Sequence, residues 1–199
     1  GERRSEVGLV HDVTGGKSRT KQGRLGVGNP GPVGLNIDLA DCVVLCGVRQ
    51  VLDDPYSAVA NAMTVYNEIL RQHPEWLPRL YEGFIWTRRA EEAMGETPVS
   101  DFKVPGYSAA GGVVTCRFNG GWIKAGMDLA GEEMTDEEMA LFKFIRETVA
   151  ANSYTFPLHK GGLAFCNNYT VFHGRAGHEP IDDEAQKRLL LRIWMDLPN

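Results

Sequence analysis

A β-sandwich with helical insertions is the fold class this sequence predicts, and three observations predict it. Short β-branched, apolar runs without helical period occupy the first half of the chain. One strongly capped helix follows them, and the last fifty residues or so return to strand-like runs separated by turn formers. A chain of 199 residues is long enough to bury one core, so we expect a single domain over 1–199, with a Gly/Pro-rich loop region over 1–34 and the core over 35–199.

The elements follow in order. Gly15-Gly16, Gly23, Gly26, Gly28, Asn29-Pro30, Gly31-Pro32 and Gly34 oppose any long regular element, so residues 1–36 read as loop. The run Asp41 to Val48 suits a strand covered on both faces, and Asp53-Asp54-Pro55 turns the chain. Ser57 to Ala60 reads as a second strand. An amphipathic helix near Met63 to Gln72 follows, with Val65, Ile69 and Leu70 inward, and His73-Pro74 ends it. Strand-like runs recur at Gly83 to Thr87 and Gly112 to Phe118, which makes the middle mostly sheet. Thr135 with Glu138 forms a capping box, and Met139, Phe142, Ile145 and Val149 mark one face of a helix reaching about Ala151. Strands at Tyr154 to Phe156, Leu163 to Cys166, Tyr169 to His173 and Arg188 to Met195 close the chain.

Composition excludes several classes of function. The 43% hydrophobic content is scattered in short runs, and none reaches the roughly 18 residues of a membrane-spanning helix. With 21 Lys and Arg against 26 Asp and Glu, and no dense basic block, nucleic acid is not an expected partner. Cys42, Cys46, Cys116 and Cys166 include no CxxC pair, and reduced core thiols are expected, with Cys42 and Cys46 facing the same way. Gly1-Glu2-Arg3-Arg4 opens without the apolar segment of a secretory signal, so the expected compartment is the cytosol.

The most informative stretch is Phe165-Cys166-Asn167-Asn168-Tyr169-Thr170-Val171-Phe172-His173-Gly174-Arg175, followed by Lys187-Arg188-Leu189-Leu190-Leu191-Arg192-Ile193-Trp194. An Asn-Asn pair, a strand ending in His-Gly-Arg and an Arg-x-x-x-Arg strand ending near Trp resemble the C-terminal signature of the taurine dioxygenase and TfdA-like oxygenases. That resemblance implies a double-stranded β-helix (a jelly-roll of the clavaminate synthase type), Fe(II) as cofactor and 2-oxoglutarate as co-substrate. It makes His173 the distal iron ligand and gives Arg188 the remote carboxylate of 2-oxoglutarate, a task suited to a planar guanidinium. Arg192 faces the same way four residues on.

The family's opening motif, His-x-Asp, falls on Asn36-Ile37-Asp38, so Asp38 is retained and the first histidine is replaced. Its Gly-Gly-x-Ser/Thr turn falls on Asp54-Pro55-Tyr56-Ser57, keeping the Ser57 hydroxyl without the glycines. Two histidines and a carboxylate on one face of an octahedron leave positions for a 2-oxo acid and dioxygen. Here Asp38 and His173 remain, and Asn36 could offer an amide oxygen, a neutral and harder donor than imidazole. His178, or His11 from the opening segment, could approach in its place.

Each residue also has a plainer role. His173 could be a hydrogen-bonded structural histidine, Asp38 a turn residue, and Arg188 and Arg192 partners of Asp182, Asp183 or Glu184. Trp86, Tyr107 and Trp122 suit core packing better than a pocket wall. The resemblance implies an oxygenase acting on a small organic molecule. The altered triad leaves two alternatives on the same fold: a redox-silent isomerase, lyase or cyclase, or a non-catalytic subunit paired with an intact oxygenase. A sheet edge left exposed by a short N-terminal portion would favour pairing with another chain, so a homodimer, or a heterodimer with a related oxygenase, is an expected assembly.

Overall fold

In the computed structural model, which describes residues 10–14, 33–50, 56–89, 92, 94–177 and 188–197, the strands pair into two four-stranded antiparallel sheets. The first sheet runs β1 (Val10–Thr14), β10 (Leu189–Met195), β3 (Cys42–Arg49), β8 (Leu163–Asn167). The second runs β2 (Val33–Asn36), β9 (Val171–Arg175), β4 (Ser57–Asn61), β7 (Tyr154–Phe156). The chain alternates between the sheets from β1 to β4 and again from β7 to β10, which winds it into the double-stranded β-helix. Between the two passes lie helices α1 (Ala62–Gln72), α2 (Leu77–Glu82), α3 (Gly120–Ala130) and α4 (Asp136–Ala151), and a hairpin of β5 (Tyr107–Ala110) with β6 (Val113–Cys116).

The hydrophobic core sits on the helical side of the second sheet. Ala60 and Phe172 are opposite one another on β4 and β9, and their face meets Val65 and Ile69 of α1, Ile123 of α3 and Leu141, Ile145 and Val149 of α4. Because side chains alternate along a strand, His173 and Arg175 on β9, with Val59 and Ser57 opposite them, lie on the other face, toward the first sheet. Helices and core thus rigidify one side of the second sheet and leave its other side for polar groups. The outward positions of the first sheet are barer, with Leu163, Phe165 and Ile193 at 58, 64 and 36% exposure.

Most predicted elements appear within a residue or two, and the differences have local causes. Two strands, β1 and β2, form inside the segment read as loop, because β10 and β9 supply backbone partners that local composition does not reveal. The turn at Asp53-Asp54-Pro55 lies outside the described residues. Gly83 to Thr87 makes only single bridges, Phe84 to Val104 and Thr87 to Val99. Its backbone is instead covered by α3, whose Gly126 could not carry a Cβ without meeting Trp86 carbonyl carbon at 2.4 Å.

Helix α3 itself was hidden by its Gly120-Gly121 start, although Asn119 caps it and Gly131 ends it in a left-handed conformation (φ 74°). Pro74 does end α1, but it also opens a 3-10 turn, Pro74–Trp76, that leads into α2. On α1 the buried stripe is Ala62, Val65 and Ile69, which leaves Leu70 49% exposed, one residue around the helix. On α4 the capping box is present, but the buried stripe is Glu138, Leu141, Ile145 and Val149, so Met139 faces out. Glu138 doubles as a tie between helices through a 2.6 Å ion pair with Arg79 of α2.

All four cysteines are free thiols; Cys116 and Cys166 are buried. Cys42 and Cys46 share one face of β3, as their spacing requires, but it is the outward face, where both are half-buried rather than in the core. Trp86 and Tyr107 are core residues, and Trp122 packs against that core. Among the described residues no helix is long and apolar enough to cross a membrane.

Candidate active site between the sheets

Strand β2 ends at Asn36, and the chain then crosses toward the first sheet. Ile37 is fully buried and its N–H donates to the Phe118 carbonyl at 2.9 Å, which pins the crossing. Arg117 completes the anchor. One of its terminal nitrogens, Nη1, donates to the carbonyls of Asp38 (2.9 Å), Ala40 (2.9 Å) and Asn168 (3.0 Å), and the guanidinium stacks on Tyr169 at 4.0 Å. Tyr169 donates a short hydrogen bond to Asp41, which also accepts the Leu197 N–H at 2.8 Å. A single guanidinium therefore ties the segment carrying Asp38 to the turn that leads into β9 and His173. Nothing in the sequence marked it, because the ties are to backbone carbonyls.

With both segments held, the two distant stretches of chain meet. Asp38 Oδ2 stands 3.5 Å from His173 Nε2, with the two side chains only 8 and 13% exposed. The same oxygen accepts the Trp194 indole N–H at 2.8 Å, and Oδ1 accepts the Asn36 amide N–H at 3.1 Å. Asn36 lies directly opposite His173 in the β2–β9 pair, so their side chains share a face. Burial pushes the Asp38 carboxyl up, but the His173 imidazole, the Arg192 charge and the Trp194 N–H outweigh it and hold the pKa at about 2. Asp38 is accordingly an anion, able only to accept.

A second cluster lies two residues further along β9. Arg175 sits opposite Ser57, which is 6% exposed. Burial lowers the pKa of Arg175 to about 10, with the Arg188 charge adding to the effect. Arg188 is 3% exposed and its Nε donates to Gln50 Oε1 at 3.3 Å. A buried guanidinium, Arg188, and a half-buried one, Arg175, held near one another beside a buried hydroxyl, make an anion-attracting cluster. Arg192, on β10, stacks over Trp194 at 4.1 Å, and its charge acts on Asp38.

All six residues singled out from the sequence thus fall into two neighbouring clusters: Asn36, Asp38, His173 and Arg192 in one, Ser57 and Arg188 in the other. Sequence reasoning missed Trp194, Arg175, Gln50 and Arg117 as participants. Arg175 was readable, since alternation places it on the face of His173. His11 stands opposite Arg192 in the β1–β10 pair, while His178, Asp182, Asp183 and Glu184 lie outside the described residues.

The donor set fits a divalent cation in part. Adjacent donors of an octahedral ion stand roughly 3 Å apart when bonds are roughly 2.1 Å. The Asp38–His173 separation is long for a hydrogen bond and close to that value. Nδ1 of His173 is buried with no hydrogen-bond partner among the described residues, so the interaction of this ring is made at the nitrogen facing Asp38. Among the described residues no group of three His, Cys, Asp or Glu side chains converges, so Asp38 and His173 form a pair and not a triad.

An antiparallel double-stranded β-helix with a carboxylate, an imidazole and a buried arginine between its sheets belongs to the jelly-roll class of folds. Residues 37–194 match the family described as taurine catabolism dioxygenase TauD, TfdA family, and the chain belongs to that family. FR-33289 synthase of Streptomyces rubellomurinus (strain ATCC 31215) is 29% identical over 169 residues, covering 81% of this chain and 49% of that protein. The chain thus spans about half the length of the curated relative it matches. Among solved structures, asparagine oxygenase in complex with Fe(II), 2S,3S-3-hydroxyasparagine and succinate superposes with a TM-score of 0.72 at 17% identity, over 94% of this chain and 56% of that one. The non-haem iron oxygenase OrfP in complex with Fe and α-ketoglutaric acid gives 0.65 at 15% identity, over 95 and 57%. At such identities these two neighbours establish the shared fold.

Proposed function

We propose that this chain forms the iron- and 2-oxoglutarate-binding part of an oxygenase that oxidises a small organic molecule. The observation that carries the reading is the convergence of Asp38 and His173 at 3.5 Å between the sheets, with buried Arg188 alongside. Asp38 and His173 would hold the iron, which together with 2-oxoglutarate supplies the activation of dioxygen. Arg188 grips the remote carboxylate of 2-oxoglutarate through its planar fork, Ser57 adds a hydroxyl, and the Arg175 charge raises the local attraction for an anion. Trp194 holds Asp38 in one orientation, with Arg192 stacked on its ring. Family membership and relatives that carry Fe and α-ketoglutaric acid or succinate support the reading. Four free thiols suit a reducing compartment such as the cytosol.

The test is direct. Fe(II) and 2-oxoglutarate added without oxygen should give the visible charge-transfer band of their chelate, and admission of oxygen should release succinate. Neither band nor succinate, from protein shown to be folded, removes the oxygenase reading and leaves the redox-silent alternatives, which the replacement at Asn36 favours.

A further inference from the structure

The replaced ligand position is the feature of this site that family membership does not explain. Asn36 occupies it, and two observations define what its side chain does. Strand register puts it opposite His173 on the same face, and its amide nitrogen lies 3.1 Å from Asp38 Oδ1. A carboxylate oxygen accepts hydrogen bonds, so the amide presents its NH2 group to Asp38. Asn36 thus engages Asp38 through its nitrogen, and its amide oxygen is the atom left that could ligate a metal.

We propose that Asn36 is a positioning residue that clamps Asp38 by hydrogen bonding, and that the coordination position it fails to fill is open to an exchangeable monodentate ligand. This rests on the metal-centre reading above and deepens it. The histidine-to-asparagine change exchanges a fixed protein ligand for a fixed orientation of the neighbouring carboxylate. Asp38 is thereby held from both sides, Asn36 on Oδ1 and Trp194 on Oδ2, with Oδ2 still facing His173. Such an arrangement trades ligand count for pre-orientation, and it leaves the site able to take up a small neutral or anionic donor from solution.

Cobalt(II) in place of iron gives a readout independent of turnover, since its visible ligand-field absorption reports its donors. The 199-residue protein, Asn36→Ala and Asn36→His are compared by equilibrium dialysis and by absorption with imidazole as added ligand. Expected is the same cobalt spectrum in the wild type and Asn36→Ala, with roughly 10–100-fold weaker cobalt binding in the latter because Asp38 has lost its clamp. Imidazole should shift the spectrum of both at similar concentrations, whereas Asn36→His should show the shifted spectrum unaided and ignore imidazole. A spectrum altered by Asn36→Ala, or imidazole uptake by Asn36→Ala alone, means that the amide is a ligand and overturns the proposal. Unchanged cobalt affinity in Asn36→Ala overturns the clamp. Cobalt bound by none of the three proteins instead removes the metal centre itself, a separate failure read from dialysis alone.

Discussion

The two halves of the site differ in what they retain. The closing half, β9 and the segment from Arg188 through β10, carries His173, Arg175, Arg188 and Arg192 in the order the family resemblance implies. The opening half, from the end of β2 to β4, carries Asp38 and Ser57, with Asn36 where the family resemblance implies a histidine and Asp54-Pro55 where it implies two glycines. The geometry is nevertheless joint: Asp38 reaches His173, and Ser57 stands opposite Arg175. The lesson is that the placement of a site belongs to the sheet register and its anchors, while its ligand set can change residue by residue without moving them. The largest test of that lesson lies at the anchor between the halves. Arg117→Ala removes the guanidinium donor to three carbonyls and one of the donors to Asp41, and at hydrogen bonds of about 1.5–3 kcal/mol to a charged group it should cost about 3–5 kcal/mol of stability. Urea denaturation measures it, and a loss under about 1 kcal/mol would mean that the halves find each other without this residue.

Within the closing half, Arg188 is the residue on which co-substrate binding should depend most. Removing a buried bidentate donor to a carboxylate should weaken 2-oxoglutarate binding roughly 100–1,000-fold in Arg188→Ala, read by calorimetry with Mn(II) present. Arg188→Lys keeps the charge and loses the fork, so it should fall between. If Arg188→Ala binds as the wild type does, the pocket beside Arg175 serves some other anion.

How much of this was legible in the sequence follows the same division. The closing strands announced themselves because His-Gly-Arg and Arg-x-x-x-Arg sit on runs whose alternation is local. Strands β1 and β2 did not, since Gly-rich surroundings argue for loop and their pairing partners lie far along the chain, in β10 and β9. Helix α3 was obscured by Gly120-Gly121, although Ile123 and Met127 at helical spacing between Asn119 and Gly131 carried the signal. For the site, residue types could nominate Asp38 and His173, but not which atom of Asn36 faces the carboxylate. Nor could they nominate Arg117, whose role is spent on backbone oxygens.

Acid should expose the opening half next. The Asp38 pKa of about 2 lies below its ordinary value of 3.8, so ionised Asp38 stabilises the fold above about pH 4, and the contribution is lost as pH falls through 2. The shift corresponds to about 2 kcal/mol. The unfolding free energy of the metal-free wild type should therefore fall more steeply between pH 4 and 2 than that of Asp38→Asn, which has no group to titrate at that position. Parallel curves would mean that His173, Trp194 and Arg192 do not hold this carboxylate as their geometry indicates.

The smallest effect should come from Ser57. Its hydroxyl is neutral, so Ser57→Ala should weaken 2-oxoglutarate binding by roughly 5-fold, corresponding to about 1 kcal/mol, against the far larger loss at Arg188. Ser57 is buried opposite Arg175 without the two glycines that would let backbone approach the same ligand, so the hydroxyl is what the opening half still offers there. Because Ser57 and Arg188 would touch one carboxylate, their losses should not add: with Arg188 already removed, Ser57→Ala should cost little more. Strict additivity would place the hydroxyl on a different ligand, and a loss at Ser57 equal to that at Arg188 would reverse the ranking of the two halves.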